Sequence, residues 1–195
     1  MTSGPFMAIE GGLPPDQVRL RDAAAGDERA TRELYRAHIA PVHRCVARIL
    51  GPGDPDIDDV VQQTFLAALA GAPKFDGRAK VSTWLVGIAS RRALDAARAR
   101  HRRRRWSKVT EWVGLGQPAS APDARHEALS EAEAALAALH PDQRTVFVLK
   151  EVEGYTFQEI SDMTGIGIST LHARLKAARR RIDTHLASAS TGGVR

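Results

Sequence analysis

Apolar residues recur along this chain at steps of three and four, and nowhere in the sustained alternation that marks a β-strand. Leu34, Ile39, Val42, Val46, Ile49 and Leu50 follow this rhythm, predicting a helix opened by Asp27 and stopped at Gly51-Pro52-Gly53. Asp56 or Asp58 is placed to cap the next helix, with Val61, Phe65, Leu66 and Leu69 on its inner side. Gly71 to Gly77, with Pro73 inside, breaks the pattern. Ser82 or Thr83 then caps a long helix that carries Trp84, Leu85, Ile88 and Leu94 into an arginine-rich stretch.

The period fails from Trp106 to about His126, where VGLGQPASAPDA has a linker's composition. It returns with Leu129, Leu136 and Leu139, a helix ended by His140-Pro141. Pro141-Asp142 starts another, with Val146, Phe147, Leu149 and Val152 inward and Gly154 closing it. Two further helices meet at Thr164-Gly165-Ile166. The expected fold is all-α: two small helical domains, residues 16–105 and 127–187, joined by a flexible linker, 106–126. Residues 1–15 and 188–195 read as disordered tails.

Charge adds a second layer. The net charge is +5, and the cations are concentrated in Arg98–Lys108 and Arg174–Arg181, while acids gather in Asp54–Asp59. Such segregation predicts two distinct contact surfaces, the basic ones suited to a polyanion. Cys45 is the only cysteine, so no intrachain disulfide can form and a reducing compartment is expected. No apolar run reaches the roughly 18 residues of a membrane span, and the N-terminus lacks the pattern of a secretory signal. The expectation is a cytoplasmic protein without membrane insertion. His38, His43 and Cys45 lack a metal-ligand spacing, so neither metal nor cofactor is expected.

The segment from Tyr155 to Ile182 carries the densest local information. Thr156 caps a short helix with Ile160 and Met163 inward, and Gly165 supplies a tight turn. Ser169 or Thr170 caps a second helix whose Leu171, Leu175 and Ile182 face the core. Ser169, Thr170, His172, Arg174, Lys176 and Arg179 are left outward. This is a helix-turn-helix, whose second helix enters the DNA major groove by its N-terminal end.

The N-terminal half decides among helix-turn-helix proteins. DIDDVVQQTFLAAL (56–69) and KFDGRAKVSTWLVGIASRRALDAARARHRRRR (74–105) resemble the core-binding and promoter-melting regions of the extracytoplasmic-function group of the sigma-70 family. The C-terminal segment resembles that family's minus-35-binding domain. The resemblance implies an alternative sigma factor with core RNA polymerase and promoter DNA as partners, and an anti-sigma factor as regulator. It places Asp58, Asp59, Gln62, Gln63 and Thr64 on the exposed, polymerase-binding side of their helix. It assigns Phe75, Asp76, Arg78, Lys80, Arg91, Arg92 and Arg98 to the minus-10 element, with the loop 74–81 as the base pocket. Trp84, on the helix face of Leu85 and Ile88, belongs in the core instead. The minus-35 element falls to Ser169, Thr170, His172, Arg174, Lys176 and Arg179. Ser161 stands where Ala is usual in the family, and His172-Ala173 replaces a common Lys-Ser pair, so the relatives' minus-35 preference does not carry over.

Two other classes compete. A helix-turn-helix regulator that binds an operator without polymerase would leave the N-terminal motifs unexplained. A nuclease would need Mg²⁺ on Asp54–Asp59, but carboxylates at a helix start are explained by capping and the helix dipole. No catalytic residue is expected.

Overall fold

The computed structural model describes residues 14–112 and 131–192, with side chains through Trp106 and from Glu131 to Ser188. Every regular element among them is helical. Residues 1–13, 113–130 and 193–195, which include most of the expected linker and the outer parts of both tails, lie outside the described residues.

Four helices build the N-terminal domain: α1 (Pro15–Ala24), α2 (Glu28–Leu50), α3 (Ile57–Gly71) and α4 (Val81–Trp112). Asp27 caps α2 as the sequence predicts, its carboxylate accepting the Arg29 and Ala30 N–H groups at 2.7 and 3.0 Å. Gly51, at φ +115, ends that helix. Leu34, Val42, Val46 and Ile49 of α2 meet Val61, Phe65 and Ala68 of α3 and Leu85, Ala89 and Ala93 of α4 in a closed core. Each fully buried aliphatic side chain contributes on the order of 1.5–3 kcal/mol. Cys45 lies in this core with Ser90, its Sγ 3.9 Å from the hydroxyl, and burial pushes the thiol pKa up to about 12.

Two caps in this domain differ from expectation. Asp56 precedes α3 but makes no side-chain cap bond. Its carboxylate, with that of Asp54, clamps Arg100 of α4 instead, the Asp56 contact being 2.5 Å. A guanidinium brings those oxygens a full positive charge, which a backbone N–H does not. The long helix starts two to three residues early, at Val81, with the Lys80 carbonyl accepting the Trp84 N–H, so Ser82 and Thr83 lie inside its first turn. It continues to Trp112, past the arginine run, so residues 106–112 are helical.

The C-terminal domain comprises α5 (Glu131–Ala137), α6 (Pro141–Phe147), α7 (Phe157–Thr164) and α8 (Ile168–Gly192), the last extending helical backbone beyond residue 187. After Phe147 the backbone widens into a π turn, Val148–Val152. The extra residue rotates Val152 outward, whereas the sequence placed it inward, while Val146 and Leu149 remain buried. Gly154 closes the segment at φ +79. Val146, Val148, Leu149, Ile160, Leu171 and Leu175 form the apolar centre, which runs continuously into that of the N-terminal domain. Contact between the domains is made by α6 and α7 against α4, and by α6 against α2.

Candidate nucleic-acid interface

The helix-turn-helix is fixed at three points. Thr156 and Glu159 form a capping box, the Thr156 Oγ1 accepting the Glu159 N–H at 3.2 Å and the Glu159 carboxylate accepting the Thr156 N–H at 2.7 Å. The bonds from Thr156 backbone and hydroxyl hold the Glu159 carboxyl below its usual pKa. Gly165 sits in the left-handed region at φ +72, where a β-carbon would be strained. The turn then delivers the Gly167 carbonyl to the Leu171 N–H, so α8 begins at Ile168 and neither Ser169 nor Thr170 is its cap. Both side chains stand exposed in the first turn.

His172 is also exposed, and its ring packs against Phe157 at 3.9 Å between centroids. Lys150 Nζ lies 5.2 Å over the same phenyl ring. These groups, with Lys176, Arg179 and Arg180, line an open cavity of about 570 Å³. Arg179 bonds to Glu151 at 2.7 Å yet remains half in solvent. Four cations around an aromatic floor form a surface for phosphate and base contacts. Lys150 and Phe157 escaped the sequence reading. Phe157 opens an amphipathic helix, where an apolar side chain reads as core, and Lys150 reaches the cluster through the unforeseen π turn.

Arg174 is placed differently from expectation. It is three-quarters covered, and its NH2 group meets the Asp142 carboxylate at 3.2 Å. Its NH1 group is buried without a hydrogen-bond partner among the described residues.

The loop before α4 presents Asp76, Arg78 and Lys80 to solvent. Asp76 accepts the Arg78 N–H at 3.1 Å and pairs with its guanidinium at 2.7 Å, and that backbone bond leads in lowering the Asp76 pKa. Phe75, expected in the base pocket, is buried, 4.9 Å from the half-buried Trp84 ring. The pair pins the loop to the domain. Trp84 packs against the core, as expected from its helix face. Arg91 is exposed and Arg92 half-buried. Arg98 is engaged by Asp142 of α6 at 2.5 Å and by Asp95 at 3.7 Å. Arg102 to Arg105 remain exposed.

On α3, Asp58, Asp59, Gln62 and Gln63 are exposed. Thr64 is not; it is fully buried, its hydroxyl donating to the Val60 carbonyl at 2.7 Å. Leu66, expected inward, is 52% exposed. The spacing 59, 62, 63, 66 puts it on the polar face, a signal that was present in the sequence. Tyr35 of α2, 44% exposed, packs its ring on Phe65 at 4.8 Å and adds a second surface aromatic that sequence reasoning missed.

Among the described residues no helix is long and apolar enough to cross a membrane, and no cluster of His, Cys, Asp or Glu has metal-site geometry.

Comparisons with known proteins fit this architecture. The family model for sigma-70 region 2 matches residues 34–105, and that for sigma-70 region 4 matches residues 129–182. The ECF RNA polymerase sigma factor SigM of Mycobacterium tuberculosis is 32% identical over 177 residues, covering 91% of this chain and 87% of its own length. The RNA polymerase sigma factor CarQ of Myxococcus xanthus is 32% identical, covering 83% and 88%. Among solved structures, CnrH in complex with the cytosolic domain of CnrY superposes with a TM-score of 0.58 at 23% identity, covering 89% of this chain and 97% of that one. RpoE of Bartonella quintana, in complex with the anti-sigma factor NepR, gives 0.55 at 21%, covering 80% and 96%. With both regions matched in order on two helical domains, the chain belongs to the sigma-70 family of RNA polymerase sigma factors, in its ECF group.

Proposed function

We propose that this chain docks on core RNA polymerase through the outer face of α3 and directs it to promoters by gripping two DNA elements, one with each domain. Supporting this most directly is the presence in one chain of both sigma regions, each keeping a solvent-facing functional helix face. A helix-turn-helix regulator would have no use for the first.

On α3, Asp58, Asp59, Gln62 and Gln63 supply acidic and amide groups for a basic partner surface, and Leu66 with Tyr35 supplies apolar contact area. Charges of this kind set orientation and on-rate, while a small buried apolar patch carries more of the affinity. The α8 N-terminus enters the major groove at the minus-35 element, with Ser169, Thr170, His172 and Lys176 toward DNA and Lys150 on phosphate. Phe157 holds the His172 ring in place. At the minus-10 element, Asp76, Arg78 and Lys80 of the loop face an unstacked base, and Arg91 and Arg92 meet the backbone. Unstacking costs a few kcal/mol, offset by those contacts. Arg102–Arg105 add sequence-independent phosphate attraction.

The chemistry of RNA synthesis belongs to polymerase, and this chain needs no cofactor of its own. A cytoplasmic location follows from that partnership. The surfaces used for polymerase are also the ones an anti-sigma partner would cover.

Transcription reconstituted from purified core polymerase, this chain and fragmented genomic DNA tests the proposal. Discrete start sites that depend on the chain, lost with Lys150→Ala/His172→Ala, are expected. DNA binding by the chain with no chain-dependent start sites would overturn it.

A further inference from the structure

A single nucleic-acid strand is held by cations along its backbone and by aromatic rings on which its bases stack. Around the minus-10 loop, two aromatic side chains are engaged within the fold. Phe75 is buried, and Trp84 packs on it at 4.9 Å between ring centroids. Gly71 lies against the Trp84 indole, so closely that a β-carbon on it would sit 3.4 Å from the ring. Tyr35 packs on Phe65, on the face given to polymerase. Trp106 differs from all of these. It is 69% exposed, the most of any large apolar side chain among the described residues, and it directly follows the four exposed arginines 102–105. Arg102 and Arg103 precede it by four and three residues, so on α4 they share its face. Just before this segment, Arg100 is clamped by Asp54 and Asp56, and Arg98 by Asp142. Those pairs anchor α4, and the exposed turn that follows is presented from a fixed base.

We infer that Trp106, flanked by Arg102 and Arg103, is a stacking platform for an unpaired base of the melted promoter strand. The inference rests on the promoter-opening role proposed above and adds a residue to it. Trp106 stands 25 residues after Val81, roughly 37 Å along the helix, so it takes a different base from the one faced by the loop before α4. Stacking on an indole tolerates any sequence, because every base has a π-face. The two arginines supply phosphate contacts beside the stacked base. A ring set among cations suits a single strand above all, since in a duplex the base faces are covered by their neighbours. A duplex would meet the arginines and leave the indole in water. An apolar protein pocket would cover the indole only by desolvating the arginines beside it, which charge complementarity to a polyanion does not require.

Titration of the full chain with an oligodeoxythymidine of about 12 nucleotides, followed by tryptophan fluorescence, tests the platform. Saturable quenching is expected with the single strand and not with the blunt duplex formed by adding its complement. Trp106→Leu keeps the chain's other indoles, Trp84 and Trp112, and should abolish the quench. Its affinity for the single strand should fall roughly tenfold while its affinity for the duplex stays unchanged. Trp106→Tyr, which keeps an aromatic face, should recover most of the loss. Substitution at so exposed a position leaves the fold intact. Unchanged single-strand affinity in Trp106→Leu, or an equal loss on the duplex, would overturn the platform. An oligouridine RNA of the same length should bind no more tightly than the DNA strand; tighter, Trp106-dependent binding of the RNA would overturn the promoter strand as its occupant. The sigma reading is reported separately, by the start sites that depend on the native chain, so either can fail without the other.

Discussion

At the scale of single residues, the side chains divide by whom they pair with. Lys150 contacts DNA phosphate in this account, whereas His172, held by Phe157, faces base edges. Lys150→Ala should therefore weaken binding about equally on all sequences and lower the salt slope by ~1, while Phe157→Ala relaxes discrimination at the minus-35 element. Binding isotherms on matched and scrambled minus-35 duplexes over a salt series separate the two. Arg100 has a structural role, answering the carboxylates of Asp54 and Asp56, of which Asp54 is almost wholly covered. Arg100→Ala leaves that carboxylate unpaired and should cost about 3 kcal/mol, the low end for broken buried pairs because water reaches Asp56. Denaturant unfolding measures it, and Asp54→Asn in the same chain recovers part of the loss. None of this was legible in the sequence, where Asp54 and Asp56 read as helix-start acids, because their partner lies 44 residues beyond Asp56.

Elements were legible where their signals are local. The Asp27 cap, the Gly51 stop, and the Thr156 cap with its Gly165 turn are all decided within four residues, and each stands where the pattern put it. Misplaced residues take their environment from another element or from a local irregularity of their own. Phe75 turned inward because Trp84 of α4 waits for it, and Val152 turned outward because the π turn inserted a residue. Thr64 reads as polar surface but satisfies its hydroxyl on its own helix, so burying it costs little. The start of α6 yields a pH prediction. The His140 ring caps it, Nδ1 accepting the Asp142 N–H at 3.3 Å, which requires the neutral ring. Burial leads in lowering the His140 pKa from its ordinary 6.5; the charge of Asp142 opposes this, and His101, Arg98 and Arg174 add to it. A histidine depressed in the folded state contributes stability that is present above its unfolded value and lost as pH falls through the folded one. Stability of the C-terminal domain should thus decline below about pH 6.5. His140→Ser, which keeps a capping oxygen without a titrating ring, should remove that part of the decline in thermal melts taken from pH 8 to 5.

For the whole molecule, the all-helical class, the two domains and the sigma resemblance were legible, because periodicity and motif order survive without knowledge of contacts. The joining of both cores through Gly87 and Met163, and the convergence of Arg98 and Arg174 on Asp142, were not, since nothing in either segment names its partner. The central claim is that the outer face of α3 docks this chain on core polymerase, and competition against the housekeeping sigma factor for core polymerase tests it most directly. The account predicts saturable displacement by the native chain, and displacement weakened about tenfold or more, some 1.4 kcal/mol, by Asp59→Ala/Leu66→Ala, with binding of isolated DNA unchanged. Equal displacement by both proteins would contradict the docking face, and no displacement by the native chain would contradict the claim as a whole.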